Sequence, residues 1–423
     1  MSDRILRTAL GAVLLIGVIA GCSENVTSTL GCPTLCVDES AALRDTVLNG
    51  SVVLDSSLFG YPQLGDTRDI TLLNQGDSAD VRVVARYDSL PLRYQISGAS
   101  SDSLIRKVDS ATMIFVIDTL TTRVTSAITI EAFNVDTVAN DTALKAVLPL
   151  FRAGRLLGSQ TFNPGDLKDT VRLQLNNDSL FAKIRDTLHL RVGLRIRGDG
   201  SRKLRVLGTL FAPRIRIKVY SDTTVPPDTL YPNTLAPANN AYLQGALSFY
   251  RVVAKGDLSY PPPGTFVIGG VAGARTFLKF DIPQTVIDSV TVIRASLILQ
   301  QTRGRSTART SDSLSIFTHP VLASPQVTDV STLMNFIGSS AVYGVDSLRF
   351  APSDSGQRSV ELVNLFRTWK VVGATNTIRS IVLRTPLESA SAGELSFFSM
   401  EGPVALRPKL RITYVPRRGF GIP

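Results

Sequence analysis

The sequence predicts an all-β protein, two tandem jelly-roll-like antiparallel β-sandwiches, on three observations. Short runs alternate apolar with polar residues from about position 41 onward, the pattern of strands with one face in a core and one in water. These runs are separated by Asp-Ser and Asp-Thr pairs such as Asp45-Thr46, Asp88-Ser89, Asp118-Thr119, Asp178-Ser179, Asp288-Ser289 and Asp346-Ser347, whose side chains bond back to nearby backbone and favour turns. Long helical periodicity is nearly absent, and many short strands at turn-spaced intervals argue for sandwiches.

The alternation is cleanest in Leu188 to Arg197, and it recurs in Arg214 to Val219 and Lys409 to Tyr414. Val360 to Trp369 reads as a strand running into one helical turn, and Ser331 to Ile337 as a short helix. The halves also repeat. Val108 to Phe115 matches Val292 to Leu299, and Ile130 to Phe133 matches Leu314 to Phe317. Thr170 to Leu173 lies against Ser359 to Leu362, and Leu180-Phe181 against Leu365-Phe366. The offset between copies is 184 for the first two pairs, then 189 and 185, a wander that loops of changed length produce. Ser221 to Pro237 carries Pro226, Pro227, Pro232 and Pro237, a composition expected of a semi-extended linker. The expected domains are therefore a first sandwich over 41–220, a linker over 221–238, a second sandwich over 239–416 and a tail over 417–423.

The N-terminus has a different character. Arg4 and Arg7 precede an apolar run from Ala9 to Ala20, which ends in Ile19-Ala20-Gly21-Cys22. A positive start, a short apolar stretch and small residues before the cut define a secretory signal over 1–21; a spanning helix needs roughly 20 apolar residues. The Ala-Gly-Cys ending resembles the lipobox of bacterial lipoproteins. That resemblance implies that the sulfur of Cys22 is acylated, tethering the chain to the membrane through residues 22–40. Ser23 stands where retained inner-membrane lipoproteins typically carry Asp, so the resemblance places the protein at the outer membrane, on its periplasmic or cell-surface face. Loss of Arg4, Arg7 and Asp3 takes the formal charge from +10 to +9. In an oxidising envelope Cys32 and Cys36 are expected as a small disulfide loop or as free thiols. With only His189 and His319 elsewhere, they make a poor zinc site. The scattered Asp-hydroxyl pairs read as turn chemistry, with structural calcium left open.

The second half resembles the DNRLRE-type domains of bacterial secreted proteins, jelly rolls related in shape to carbohydrate-binding modules. The matching pieces are Phe277 to Asp281, Ile287 to Leu299, Val360 to Trp369, Ile381 to Leu383, Leu395 to Glu401 and Arg407 to Tyr414. The resemblance covers roughly 240–415 and implies a binding or structural module; Trp369 looks like the family's core tryptophan.

Catalysis needs convergent groups with shifted pKa values. The two histidines fall in different halves, and the chain has no nucleophile motif, Gly-rich phosphate loop or metal-ligand spacing. A non-catalytic module without cofactor or metal is expected. Arginine outnumbers lysine 35 to 10, and Arg191, Arg195, Arg197, Arg214 and Arg216 alternate outward on predicted strands as candidate anion-binding residues. Arg411 follows the same pattern in the second half, and Arg202, Lys203 and Arg205 add to the first. Like charges facing each other across strands destabilise a sheet, so such a face needs acidic neighbours or a polyanion. Envelope polymers bearing phosphates or uronic acids suit it, whereas nucleic acid fits the charge but not the compartment. Phe59, Tyr61, Tyr250, Tyr260 and Tyr343 are candidate glycan-stacking residues near predicted loops. Carbohydrate or an anionic polymer is the expected ligand; the alternative is a structural or assembly lipoprotein that binds another envelope protein.

Overall fold

The computed structural model describes residues 43–416 apart from 61–68, 88–89, 96–100, 119–125, 138–143, 187–188, 207–212, 222–227, 231–248, 257, 285, 287–289, 306–312, 322–326, 328, 338–347, 372–378 and 387. The lipobox cysteine Cys22, the pair Cys32 and Cys36, and Tyr61 and Tyr343 lie outside the described residues.

The chain opens with β1 (Arg44–Leu48) and β2 (Val52–Phe59), followed by β3 (Asp69–Asn74) and β4 (Asp80–Tyr87). A small hairpin, β5 (Arg93–Gln95) and β6 (Asp102–Leu104), leads into β7 (Lys107–Asp118) and β8 (Ile128–Asn134). Helix α1 (Leu144–Val147), β9 (Leu156–Phe162), β10 (Thr170–Leu175) and helix α2 (Asn177–Asp186) come next, then β11 (Leu190–Arg197), β12 (Gly200–Arg205) and β13 (Arg214–Tyr220). The second series starts with β14 (Asp228–Leu230) and β15 (Phe249–Lys255), then β16 (Thr265–Gly269), β17 (Ala274–Phe280), β18 (Val290–Thr302) and β19 (Leu314–Pro320). Helix α3 (Val330–Asn335), β20 (Leu348–Phe350), β21 (Gly356–Glu361) and helix α4 (Val363–Val371) precede β22 (Ser380–Arg384), β23 (Glu394–Phe398) and β24 (Lys409–Pro416).

The fold is all-β, antiparallel and jelly-roll-like, built on two eleven-stranded sheets. The first runs β14-β13-β7-β12-β3-β4-β11-β8-β9, with β10 on β7 and β15 on β4. The second runs β1-β24-β18-β23-β16-β17-β22-β19-β20, with β21 on β18 and β2 on β17. Strand for strand the two orders coincide, so the repeat seen in sequence is a repeat of topology. Register sharpens one correspondence. Met113 faces Leu173 and its counterpart Leu297 faces Val360, an offset of 187, two residues from the sequence match of Val171 with Val360. Helix α4 is longer than the single turn expected after β21, and α2 occupies the same place in the first copy.

The coinciding orders reveal an exchange. β1 and β2 begin the first series but pair with β24 and β17 of the second sheet; β14 and β15 begin the second series but complete the first sheet against β13 and β4. The expected boundaries are corrected accordingly: residues 44–59 belong to the second sandwich, and 228–230 and 249–255 to the first. The reason is burial. Val52 lies in the second core with Phe280 and Leu297, and Phe249 in the first with Tyr87 and Val192; each such side chain gains about 1.5–3 kcal/mol from leaving water. Both exchanged strands end in a glycine held at positive φ, Gly60 (+145°) and Gly256 (+156°), where the chain crosses between sandwiches. A Cβ on Gly256 would stand 2.5 Å from Cγ2 of Val271.

Each sandwich encloses one core. The second contains Trp369, ring centroids 5.2 Å from Phe366 and 5.7 Å from Phe280, as expected of a core residue. A smaller cluster, Leu73, Ala79, Val81 and Val253 with Val271 and Ala392, joins the two sandwiches.

Candidate functional site

Most of the buried charge is internally paired and structural. Arg275 (β17) and Glu388, both shielded from solvent, form a two-pronged ion pair, and Glu388 also accepts from Arg251 (β15) through its backbone carbonyl at 3.2 Å. Glu394 (β23) is clasped by Arg305 at 2.9 Å through Nε. Such pairs repay their desolvation only with this geometry, and they fix how the exchanged strand β15 meets the second half.

Several sequence-predicted cations are likewise neutralised. Arg195 donates to Glu131 through Nε at 2.8 Å and lies 4.8 Å over the Phe133 ring; Arg197 reaches the other Glu131 oxygen at 2.9 Å. The register sets Arg195 directly opposite Glu131, so β8 supplies the balancing acid. Arg191 sits half-buried on β11 and is also engaged. These three do not form a free cationic surface.

The outer face of β10-β7-β13 is different. Ile215, Ile217 and Val219 turn into the core, leaving Arg214, Arg216 and Lys218 outward. Across β7, Arg172 and Arg214 flank Ile114, and Gln174 and Arg216 flank Thr112. The Thr112 hydroxyl donates to Gln174 at 3.2 Å. Arg172, Arg216 and Lys218 have no hydrogen-bond or ion-pair partner among the described residues. Asp109, an exposed acid beside Ser110, is the extra residue of the bulge in β7.

The second sandwich provides the comparison. Its equivalent face, β21-β18-β24, is balanced: Arg411 is held by Asp45 of β1, Arg294 by Glu361 at 3.0 Å, and the Ser296 hydroxyl donates to Glu361 at 3.2 Å. The Arg411 guanidinium holds the Asp45 carboxyl below its ordinary range. By register, Thr229 replaces Asp45, Gln174 replaces Glu361, and Lys218 replaces Thr413, while Arg216 keeps the place of Arg411. The first copy thus carries four outward cations at positions where the second carries three cations and two carboxylates. Sequence reasoning named Arg214 and Arg216 but missed Arg172 and Lys218. The alternation Thr170-Val171-Arg172-Leu173-Gln174-Leu175 held the signal, but only pairing to β7 puts it beside β13.

The candidate aromatics do not make one platform. Phe59 and Tyr260 meet edge-on at 5.3 Å with Tyr260 79% exposed, whereas Tyr250 packs half-buried against the Phe133–Phe151 cluster of the first sandwich. His189 and His319 fall in different sandwiches, and His319 is buried beside Phe317. Among the described residues one carboxylate is raised: Asp55 (β2) is pushed up to about 6, chiefly by burial, with the Met400 N–H that donates to it at 2.6 Å opposing the rise and Glu401 adding to it. No group of three or more metal-ligating side chains gathers among the described residues, and none of their helices is long and apolar enough to cross a membrane.

No family model matches the chain, and no curated protein sequence matches it. Among solved structures it is similar to the C-terminal domain of the Streptococcus pyogenes antigen I/II-family protein AspA, at 10% identity and TM-score 0.16, covering 83% of this chain and 92% of that one. A chain described as BspA_C_WT matches at 9% identity and TM-score 0.15, covering 83% and 91%. The Macrobrachium rosenbergii nodavirus structure matches at 11% identity and TM-score 0.14, covering 94% and 99%. Scores this low carry no conclusion about function.

Proposed function

We propose that this chain is a non-catalytic, lipid-anchored envelope protein of the outer membrane, and that it binds an anionic polymer on the outer face of its first sandwich. One observation carries the reading: Arg172, Arg216 and Lys218 share a face with Arg214, and the acids that balance the equivalent face of the second copy are replaced there by Thr229 and Gln174. Arg172, Arg216 and Lys218, with no acid partner among the described residues, repel one another, and a polymer with regularly spaced negative groups relieves that repulsion while releasing counterions. The DNRLRE resemblance makes a saccharide backbone the natural carrier of those charges, and the Cys22 lipid would keep the face close to envelope polymers.

Residues 23–423 should retain polygalacturonate or a phosphomannan and release it as salt rises from 50 to 500 mM, concentrations that screen exposed charge pairs to different depths. Neutral dextran should not be retained. Absence of binding to every polyanion tried, at low salt and with the protein folded, would sink this reading.

A further inference from the structure

We infer that Arg216 and Lys218 form a subsite for a phosphate group on the ligand saccharide, at the place where the second sandwich seats its own Asp45 carboxylate. The inference rests on the reading that this face binds an anionic polymer, and it names the anion. In the second sandwich the Asp45 carboxylate accepts from Nε of Arg411 at 2.8 Å and from the Thr413 hydroxyl at 3.3 Å, both on β24. The protein therefore contains a tethered oxyanion on an arginine and its neighbour two residues along one strand. In the first sandwich that geometry recurs without the acid. Arg216 lies opposite Thr112 as Arg411 lies opposite Ser296, and Lys218 lies opposite Thr229 as Thr413 lies opposite Asp45.

At this pair of positions the charge differs between the copies. One guanidinium and one carboxylate sum to zero; Arg216 with Lys218 sum to +2. A uronate brings a single negative charge and would leave the pair half-balanced. A phosphomonoester carries about −1.5 to −2 at neutral pH, and it offers three oxygens to a guanidinium fork and an ammonium. Ser110 and Gln174, which replace Arg294 and Glu361, leave uncharged hydrogen-bonding groups beside the subsite. Arg172, across β7 from β13, extends positive charge along the face.

The test is binding of a phosphomannan, its phosphatase-treated form and polygalacturonate to residues 23–423 and to the double variant Lys218→Thr/Thr229→Asp. That variant rebuilds the pairing the second sandwich already folds around, and an unchanged melting temperature verifies its integrity. The expected result is phosphomannan binding at least about tenfold tighter than polygalacturonate, lost on dephosphorylation and weakened about tenfold or more in the variant. Arg216→Ala gives the same loss by removing the fork. Polygalacturonate binding equal to or tighter than phosphomannan overturns the phosphate assignment while leaving polymer binding intact. Phosphomannan binding that both variants leave unchanged overturns the location. Failure of all three polymers to bind overturns the underlying reading as well.

Discussion

Arg195 and Arg197 converge on one nearly buried carboxylate, Glu131, whereas Arg216 and Lys218, on β13 of the same sheet, have no such acid among the described residues. Side chains of one type, on strands of one alternation, differ because of what the neighbouring strand places opposite them. Asp55 illustrates the reverse, an acid whose surroundings favour its protonated form. Its pKa rises from 3.8 to about 6, the net of burial, which raises it most, the Met400 N–H, which lowers it, and Glu401, which raises it. A carboxyl raised on folding binds a proton more tightly in the folded state, so stability falls as pH climbs from about 4 through 6 and stays lowered above. Asp55→Asn should therefore match the wild type near pH 3.5 and exceed it above pH 6.5. The gain should be on the order of 1–2 kcal/mol, the full shift being discounted for the group's partial exposure. Melting temperatures of both proteins across that range check this; a constant difference at every pH would refute the titration of Asp55. At this scale the sequence was informative about character and silent about partners. Alternation alone told that Arg195 and Arg216 face outward, but Glu131 lies opposite Arg195 through a pairing 64 residues away, and Thr229 lies opposite Lys218, beside Arg216 on β13, through one 11 residues away, which spacing does not encode.

At the scale of elements, β2 and β15 are the parts that depart from chain order, and each ends in a glycine the crossing requires. Gly256 combines a backbone conformation that side chains avoid with a neighbour, Val271, in the space a Cβ would take. Gly256→Ala should cost about 2–4 kcal/mol, strain and overpacking together, read as a drop in urea midpoint with an unchanged slope. Gly50, equally at positive φ but with nothing within 4 Å, provides the control: Ala there should cost distinctly less. The strands themselves were legible because period-2 patterning is strong in β13, β10 and β24. Their allegiance was not. A strand such as Val52–Phe59 reads the same whether it completes the sheet of its own half or that of the other, since both sheets offer equivalent edges in equivalent cores.

At the scale of the whole molecule, the exchange makes each half incomplete. Residues 22–238 would lack β15 from the first sandwich and leave β1 and β2 without their sheet; residues 239–423 would lack the strands that cover β24 and β17. Expressed singly, each half should show reduced strand signal and bind a hydrophobic dye, and mixing them should restore the native spectrum. Two independently folded, dye-negative halves would contradict the exchange. The sequence pointed to two sandwiches and to their repeat, and it placed the boundary in the proline-rich stretch because composition changes there. Contacts do not follow composition. The cluster of Leu73, Val81 and Val253 with Val271 and Ala392, together with Arg251 on the Glu388 carbonyl, binds the two sandwiches across that stretch.

The same exchange has a consequence for the order in which the chain is made. Of the described strands β1 is the first to emerge during synthesis and β24, its partner, the last: Asp45 must wait for Arg411, 366 residues later. The second sandwich cannot close until β24 is available, and β1 stays unpaired until then. Closing so long a loop is slow, and unpaired strands invite misassociation meanwhile. A nascent chain of this topology has little chance to lock prematurely. It commits to its final form only once its last described strand has arrived.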